Sequence, residues 1–435
     1  MGAIDLCLDS KKKLENRAKS EWDLLITGDI CPRGRFTGSS TEFENQFGKT
    51  LLRIIDDVDI SIGNLEGPVS GSNVPIKKSG PSISVDGQTP YILSSIGFDG
   101  LTLANNHIMD FGKEGLERTI KTCSDANLDT YGAGRNIEEA LQPIQYKIGE
   151  RKIAVLNACE REFGVAKENS PGSAWISHPK FLLKVNNVSE QFDTVVVIAH
   201  GGIENSPLPP LSRQRQARDI IGAGADLVIG HHPHVPQGWE RFKNGFICYS
   251  LGNFLFDRDN ETGLHEKENW GLVACVSFGE EGVEALDLLP IEQVNGEVTI
   301  LGEKWNSSEI KPYLERLTEI TAESAVLEKY WQTIAVNRFL KYYSRHINKT
   351  CTGSFLGKAR YPISRRHLWD DSREDEMLWL LNKFQNESHR NLIRTALSVL
   401  TGVEEDKRTP QVEKETNELL EWTETFRYQK LRKYL

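Results

Sequence analysis

Between Val195 and Asp257, three apolar runs each stop at a turn rich in histidine, asparagine and glycine. Val195-Val196-Val197-Ile198 leads into Ala199-His200-Gly201-Gly202. Asp226-Leu227-Val228-Ile229 ends at Gly230-His231-His232-Pro233-His234, and a third run closes in Ser250-Leu251-Gly252-Asn253. Short apolar runs bounded by glycine read as inner strands. In open α/β sheets, ligands collect just past such strand ends, because the loops there converge. Four of the ten histidines lie in this stretch, which therefore reads as half of a metal site.

The other half comes earlier. Trp22 to Thr27 is an apolar run that stops at Gly28-Asp29. Val58 to Ile62 ends in Gly63-Asn64-Leu65-Glu66, and Phe98 to Leu103 runs into Ala104-Asn105-Asn106-His107, with Asp110 just behind. Helical spacing links these runs: Phe43, Phe47, Leu51 and Ile55, then Pro90 to Ile96, then Gly115 to Asp125. Residues 70–89 read as a long loop, and 160–180 as irregular. Tyr146–Ile148 and Lys152–Leu156 are expected to pair as a hairpin, and Leu211 to Gly222 to form a helix. Strands follow at 246–251, 271–278 and 283–289. Alternating strands and helices early, with hairpin-like pairs late, predict two packed sheets flanked by helices. After about residue 300 glycine becomes rare and helical spacing takes over, beginning with Tyr313, Leu317 and Ile320 and continuing through Leu327, Trp331 and Ile334. The expected division is a tail over 1–21, an α/β domain over 22–300 and a helical extension over 301–435.

Brought together, the strand-end residues form a ligand set: Asp29, Glu66, Asn106, His200, His232 and His234, with Asn64 and Asn253 beside them. Carboxylate, amide oxygen and imidazole suit two divalent ions such as Mn, Fe or Zn rather than a thiolate zinc site. Two such ions, roughly 3.5–4 Å apart, would clamp a phosphoryl group and activate water. Glu66 is the candidate bridging carboxylate, and Asp29 a second one touching one or both ions. In an extended backbone, residues i and i+2 point the same way, which would aim His232 and His234 at one site and His231 elsewhere. His107 is the candidate acid toward the leaving oxygen. Asp110 would orient it through the other ring nitrogen. His178, His265, His346, His367 and His389 fall outside this pattern and read as ordinary residues.

Composition narrows the function. A formal net charge of −10 argues against a general nucleic-acid binder. The seven cysteines are scattered without a CxxC pair, which argues against a disulfide framework or zinc knuckle. The first twenty residues carry no apolar signal-type run. No stretch approaches the roughly 18–20 apolar residues that span a bilayer. The expected location is cytoplasmic.

The motifs carry a resemblance. Gly28-Asp29, Asn64-Leu65-Glu66-Gly67-Pro68, Leu103-Ala104-Asn105-Asn106-His107 with Asp110-Phe111-Gly112, Gly230-His231-His232-Pro233-His234 and Tyr249-Ser250-Leu251-Gly252-Asn253-Phe254 together resemble the bacterial capsule synthesis protein CapA family, which includes PgsA of the poly-γ-glutamate system. That family is similar to calcineurin-like metallophosphoesterases. The resemblance covers about residues 22–257. It implies a four-layer α/β/β/α sandwich of the metallophosphoesterase type, extended here by the C-terminal helices. It also implies a dinuclear site with Asp29, Asn106, His200, His232 and His234 as ligands and His107 as the catalytic histidine. Two positions depart from the phosphoesterase pattern: Cys31 stands where a histidine is usual, and Asn64 where an aspartate is usual. The expected function is a divalent-metal-dependent hydrolase, phosphoesterase-like, in capsule or poly-γ-glutamate biosynthesis. The alternatives are a γ-glutamyl amide hydrolase or transferase, and a non-catalytic accessory subunit that binds an acidic polymer. Expected partners are a phosphorylated or acidic substrate and membrane-associated synthase components, with no nucleic acid.

Overall fold

The computed structural model describes residues 21–33, 47–71, 74–256, 269–280, 282–294, 297–301, 310–344, 347 and 374–425. Its scaffold is two sheets laid face to face. The first contains β1 (Trp22–Cys31), β2 (Ile60–Leu65), β3 (Gly100–Thr102) and β4 (Asp129–Tyr131) side by side, extended past β1 by β14 (Asn269–Gly279), β15 (Gly282–Val294) and β16 (Glu297–Ile300). β13 (Asn253–Phe256) also pairs with β1, in parallel. The second sheet has the order β11 (Trp239–Phe242), β12 (Gly245–Cys248), β10 (Leu227–His231), β9 (Thr194–His200), β7 (Arg151–Cys159), β6 (Ile144–Ile148). β5 (Ala133–Gly134) and β8 (Gly172–Ser173) form a small separate pair. The β6–β7 hairpin turns at Gly149-Glu150, as its sequence indicates.

Strand alternation sorts the apolar residues into three cores. Leu24, Ile26 and Ile62 of the first sheet meet Val155, Val196, Ile198 and Ile229 of the second in a shared inner core. Leu25 and Leu101 point outward onto helices α1 (Lys49–Asp57), α2 (Thr89–Ser95) and α3 (Gly112–Asp125), through Leu51, Ile92 and Leu116. Leu156, Val195 and Val197 point outward onto α5 (Pro179–Ser189) and α6 (Leu211–Gly222), through Phe181, Val185 and Ile220, beside the short helix α4 (Ile137–Ala140). The layers are therefore α/β/β/α. Strands buried on both faces read as continuous apolar runs, which is the pattern at Val195 to Ile198. The beginning of the predicted helix over 41–55, with Phe43, lies outside the described residues.

Helices α7 (Lys311–Ala322), α8 (Ser324–Arg338), α9 (Glu374–Gln385), α10 (Glu387–Leu400) and α11 (Pro410–Thr425) follow. Their apolar faces join the inner core: Leu317, Trp331, Ile334 and Leu392 belong to the same cluster as Ile229 and Phe246. The seam is polar as well. Gln214 Nε2 donates to Thr321 O at 2.5 Å, and Arg218 pairs with Glu240 while donating to Ala322 O at 2.7 Å. Trp331 is fully buried. Trp331→Ala is expected to cost about 3–5 kcal/mol, read as a lower denaturant midpoint; a loss under about 1 kcal/mol would show that these helices do not share the core. Among the described residues, no helix is long and apolar enough to cross a membrane.

Candidate metal centre

β1, β2 and β3 run parallel, as do β7, β9, β10 and β12, so both sheets present carboxyl ends. The two sets of ends are stitched to each other. His231 Nε2 donates to Thr27 O at 2.8 Å, and the His232 amide donates to Asp29 Oδ2 at 3.2 Å. The sequence-predicted ligands Asp29, Glu66, Asn106, His200, His232 and His234 meet at this junction. Asp29 and Glu66 are fully buried, and the three histidines are at most 7% exposed.

Glycine makes the approach. A methyl on Gly28 would come within 2.1 Å of the Gly252 carbonyl oxygen, and one on Gly230 within 1.9 Å of Tyr249 O. The Ser250–Asn253 segment thus lies backbone against backbone on β1 and β10, with Asp29 N donating to Gly252 O at 3.0 Å. That contact seats Asn253 beside the centre. Its Oδ1 accepts from His234 Nδ1 at 2.9 Å, which turns His234 Nε2 toward Glu66.

Glu66 sits in the middle. Its Oε1 lies 3.8 Å from His234 Nε2, 3.9 Å from His200 Nε2 and 4.0 Å from His107 Nε2. These separations exceed hydrogen-bond length. Those from His234 and His200 match two donors on a common ion, which can be no more than about 4.2 Å apart when each bond is about 2.1 Å. Asn106 Oδ1 lies 3.0 Å from His200 Nε2, on the same side of that ring. Two donor groups result, Glu66–His200–His232 and Asp29–Glu66–His234, each with one ligand atom per residue within 4.8 Å of the others. Glu66 is common to both. Divalent-metal binding is what such a donor set suits.

At Asp29, His200 and His232 the electrostatics agree with that chemistry, since metal-binding imidazoles must be neutral and carboxylates ionised; His234 is the exception. Burial and the neighbouring His232 hold His200 well below the ordinary imidazole range, and burial brings His232 down to about 4. Burial would raise Asp29, but the hydrogen bond and charge of His234, with the charges of His231 and His200, outweigh it and hold the carboxyl well below its usual value. Burial also opposes charge on His234, yet Glu66 and the bond to Asp29 push it up to about 9. The field that draws a proton to His234 is one that draws a metal cation.

Several details differ from sequence expectation. His232 and His234 do not lie on an extended strand. β10 stops at His231, and both residues take left-handed backbones, with φ +94° and +58°. Non-glycine residues in that region cost of order 1–3 kcal/mol each. The turn around Pro233 brings the two ring centroids to 5.9 Å, and His232 to 4.9 Å from His200. Asn64 is turned so that its amide donates to Asp29 Oδ1 at 2.7 Å while Oδ1 accepts from Thr102 at 2.9 Å. It orients the carboxylate. Cys31 is buried in the outer core among α-facing residues. A register shift between Asp29 and Ile30 separates its direction from that of Asp29.

Beside the donors, His107 Nδ1 lies 2.8 Å from Asp110 Oδ2, which also accepts from the Ile83 amide at 2.8 Å. The residue missed from sequence is Lys78. Its ammonium pairs with Asp110 and lies 3.1 Å from His107 Nδ1, on a side chain only 3% exposed. Burial and Lys78 together lower His107, against the pull of Asp110. Nothing in a polar loop at 70–89 signals a buried lysine. Of the other histidines, His178 caps α5, accepting from Lys180 N at 3.2 Å. His389 lies between Tyr343 OH and Lys383 Nζ, each at 2.7 Å. His265, His346 and His367 lie outside the described residues.

Fold and site thus define a class: an α/β/β/α sandwich with a buried histidine–carboxylate cluster suited to divalent metal at its strand ends. The chain belongs to the bacterial capsule synthesis protein PGA_cap family, whose model matches residues 23–258. It is 29% identical over 297 residues to the capsule biosynthesis protein CapA of Bacillus anthracis, covering 65% of this chain and 70% of that one. It is 34% identical over 244 residues to the PGA biosynthesis protein CapA of Bacillus subtilis, covering 54% of this chain and 63% of that one. Among solved structures, a 5'-nucleotidase from Candida albicans aligns over 62% of this chain and 49% of its own, at 12% identity and a TM-score of 0.36.

Proposed function

We propose that this chain is a divalent-metal-dependent hydrolase of phosphoesters, working in the biosynthesis of capsule or poly-γ-glutamate. The observation that carries the reading is Glu66, one buried carboxylate shared by two donor groups of imidazole and carboxylate. In this reading Asp29, Glu66, Asn106, His200, His232 and His234 would hold two ions, Glu66 being common to both donor groups. When bound, such ions supply charge for a phosphoryl group and a nucleophile at neutral pH. The chain's own residues do the rest. Asn64 and Asn253 fix the orientations of Asp29 and His234. Asp110, anchored by the Ile83 amide and Lys78, accepts a hydrogen bond from His107 Nδ1–H and leaves Nε2 facing the donors. In the imidazolium form Nε2 carries the second ring proton, and it is the atom that would give that proton to the leaving oxygen.

This assigns His107 to proton transfer and not to metal retention. His107→Asn is expected to leave metal content unchanged and to lower turnover roughly 10²–10⁴-fold on alkyl phosphates, with a much smaller loss on nitrophenyl esters, whose leaving group needs no proton. An equal loss on both, or loss of metal, would remove His107 from that role. The reading as a whole is tested by metal analysis of the purified chain with hydrolysis of an aryl phosphate. No bound metal and no turnover would sink it.

A second reading keeps the same residues and changes the bond: hydrolysis or transfer at a γ-glutamyl amide. It is favoured by the PGA biosynthesis name of the Bacillus subtilis relative. Product analysis with γ-glutamyl oligomers separates the two, because a phosphoesterase leaves those oligomers intact.

A further inference from the structure

A second polar cavity lies away from the donors, at the seam where α10 of the C-terminal helices meets the start of α6. Its volume is about 370 Å³, within the roughly 300–1,000 Å³ of small-molecule sites. Three arginines line it. Arg213 is 8% exposed and pinned, with Nη1 donating to Gln216 Oε1 at 2.6 Å and Nη2 to Ala199 O at 3.2 Å. Arg390 and Arg394 are exposed at the rim, one turn apart on α10 and so on one face. Arg390 Nη1 donates to Phe384 O at 3.2 Å, which leaves most of its fork uncommitted.

Two other lining groups narrow the chemistry. The Ser212 hydroxyl and the Asn391 side-chain oxygen are buried and make no hydrogen bond to the protein. A buried polar atom left without a partner costs about 1–3 kcal/mol. An amide oxygen only accepts, so Asn391 asks for a donor. Two carboxylates complete the wall. Glu160 accepts from Ser388 Oγ at 2.7 Å, and Glu387 from Trp175 Nε1 at 2.7 Å and Arg161 N at 2.9 Å. Both Glu387 oxygens retain capacity for another donor, as does Glu160 Oε1, which faces Arg213 Nε at 3.8 Å; Glu160 Oε2 already accepts from the Ser388 and Gly202 amides.

We propose that this cavity binds an amino-acid-type ligand, a carboxylate that also carries N–H groups. The guanidinium groups match carboxylate in planar, bidentate fashion. The ligand's N–H groups satisfy Asn391 and face Glu160 and Glu387. Inorganic phosphate at neutral pH brings almost only acceptors. It would leave Asn391 unsatisfied and crowd two carboxylates, so the cavity disfavours it. The site joins α6 to α10, and Glu160 also accepts from the Gly202 amide at 3.3 Å, two residues past His200. It is nonetheless separate from the donor cluster and does not rest on the metal reading.

Isothermal titration of the full chain tests this with three probes: L-glutamate, glutarate and inorganic phosphate. Glutarate keeps both carboxylates and lacks the ammonium. L-Glutamate is expected to bind at one site, with glutarate and phosphate at least tenfold weaker. Arg390→Gln and Arg394→Gln, both at exposed positions, are each expected to weaken glutamate about tenfold while metal content stays unchanged. Asp29→Asn is expected to leave glutamate binding intact, which distinguishes this cavity from a carboxylate captured at the metal centre. The proposal is overturned if the native chain does not bind glutamate, if phosphate or glutarate binds as tightly, if neither arginine variant weakens binding, or if Asp29→Asn abolishes it.

Discussion

Glu66→Gln is expected to strip the centre of metal and to lower hydrolysis at least roughly 10³-fold, about 4 kcal/mol of barrier. The substitution keeps the shape and removes one negative charge. That charge belongs to both donor groups, so on the two-ion reading both would lose a carboxylate ligand together. It is also the largest of the influences that draw a proton to His234 against the opposing effect of burial. His232→Ala makes the contrast, because His232 belongs to one group only. Its expected result is loss of about half the metal, with the Asp29–Glu66–His234 group still loaded. Metal analysis by mass spectrometry reads both outcomes. If Glu66→Gln holds as much metal as the native chain, Glu66 does not bridge.

Gly28→Ala is expected to be among the most disruptive single-methyl additions at the described glycines. The added carbon would sit 2.1 Å from the Gly252 carbonyl oxygen, a backbone atom that cannot swing aside. Relief requires moving either β1 or the Ser250–Asn253 segment, and these are tied by Asp29 N to Gly252 O and by the Asp29–Asn253 register. The expected cost is about 4–5 kcal/mol or more, the range that marks a specific structural conflict. Urea unfolding measures it. Any folded fraction should bind metal poorly, since Asp29 and Asn253 move with the strand. A shift under about 1 kcal/mol would mean the close approach is not a fixed feature of the native chain.

Much of this architecture is legible before any coordinates. Asp29, His200 and His232 each end an apolar run, and buried parallel strands leave that mark because both faces are covered. Glu66 is legible by position, two residues beyond a strand. What is not legible has physical causes. The left-handed turn at His232 and His234 follows from packing around Pro233 and the Asp29 carboxylate, not from local preference, so the two rings meet at one junction by a geometry that alternation does not give. Cys31 would share a face with Asp29 in a regular strand; one bulge undoes that. Lys78 is buried by Asp110, 32 residues away, and no periodicity encodes such a pair. α5 mixes the core-facing Phe181, Val185 and Val188 with the exposed Leu182 and Leu183, which blurs its apolar stripe in the sequence. Helical spacing after residue 300 reveals helices, but not that Leu317 and Trp331 share a core with the sheets.

The most direct test is diffraction from metal-loaded crystals at wavelengths on either side of the bound metal's absorption edge. Two anomalous peaks are predicted, about 3.5–4 Å apart, with Glu66 between them, His200 and His232 on one and Asp29 and His234 on the other. A single peak elsewhere, or none at this junction under metal-replete conditions, would contradict the account.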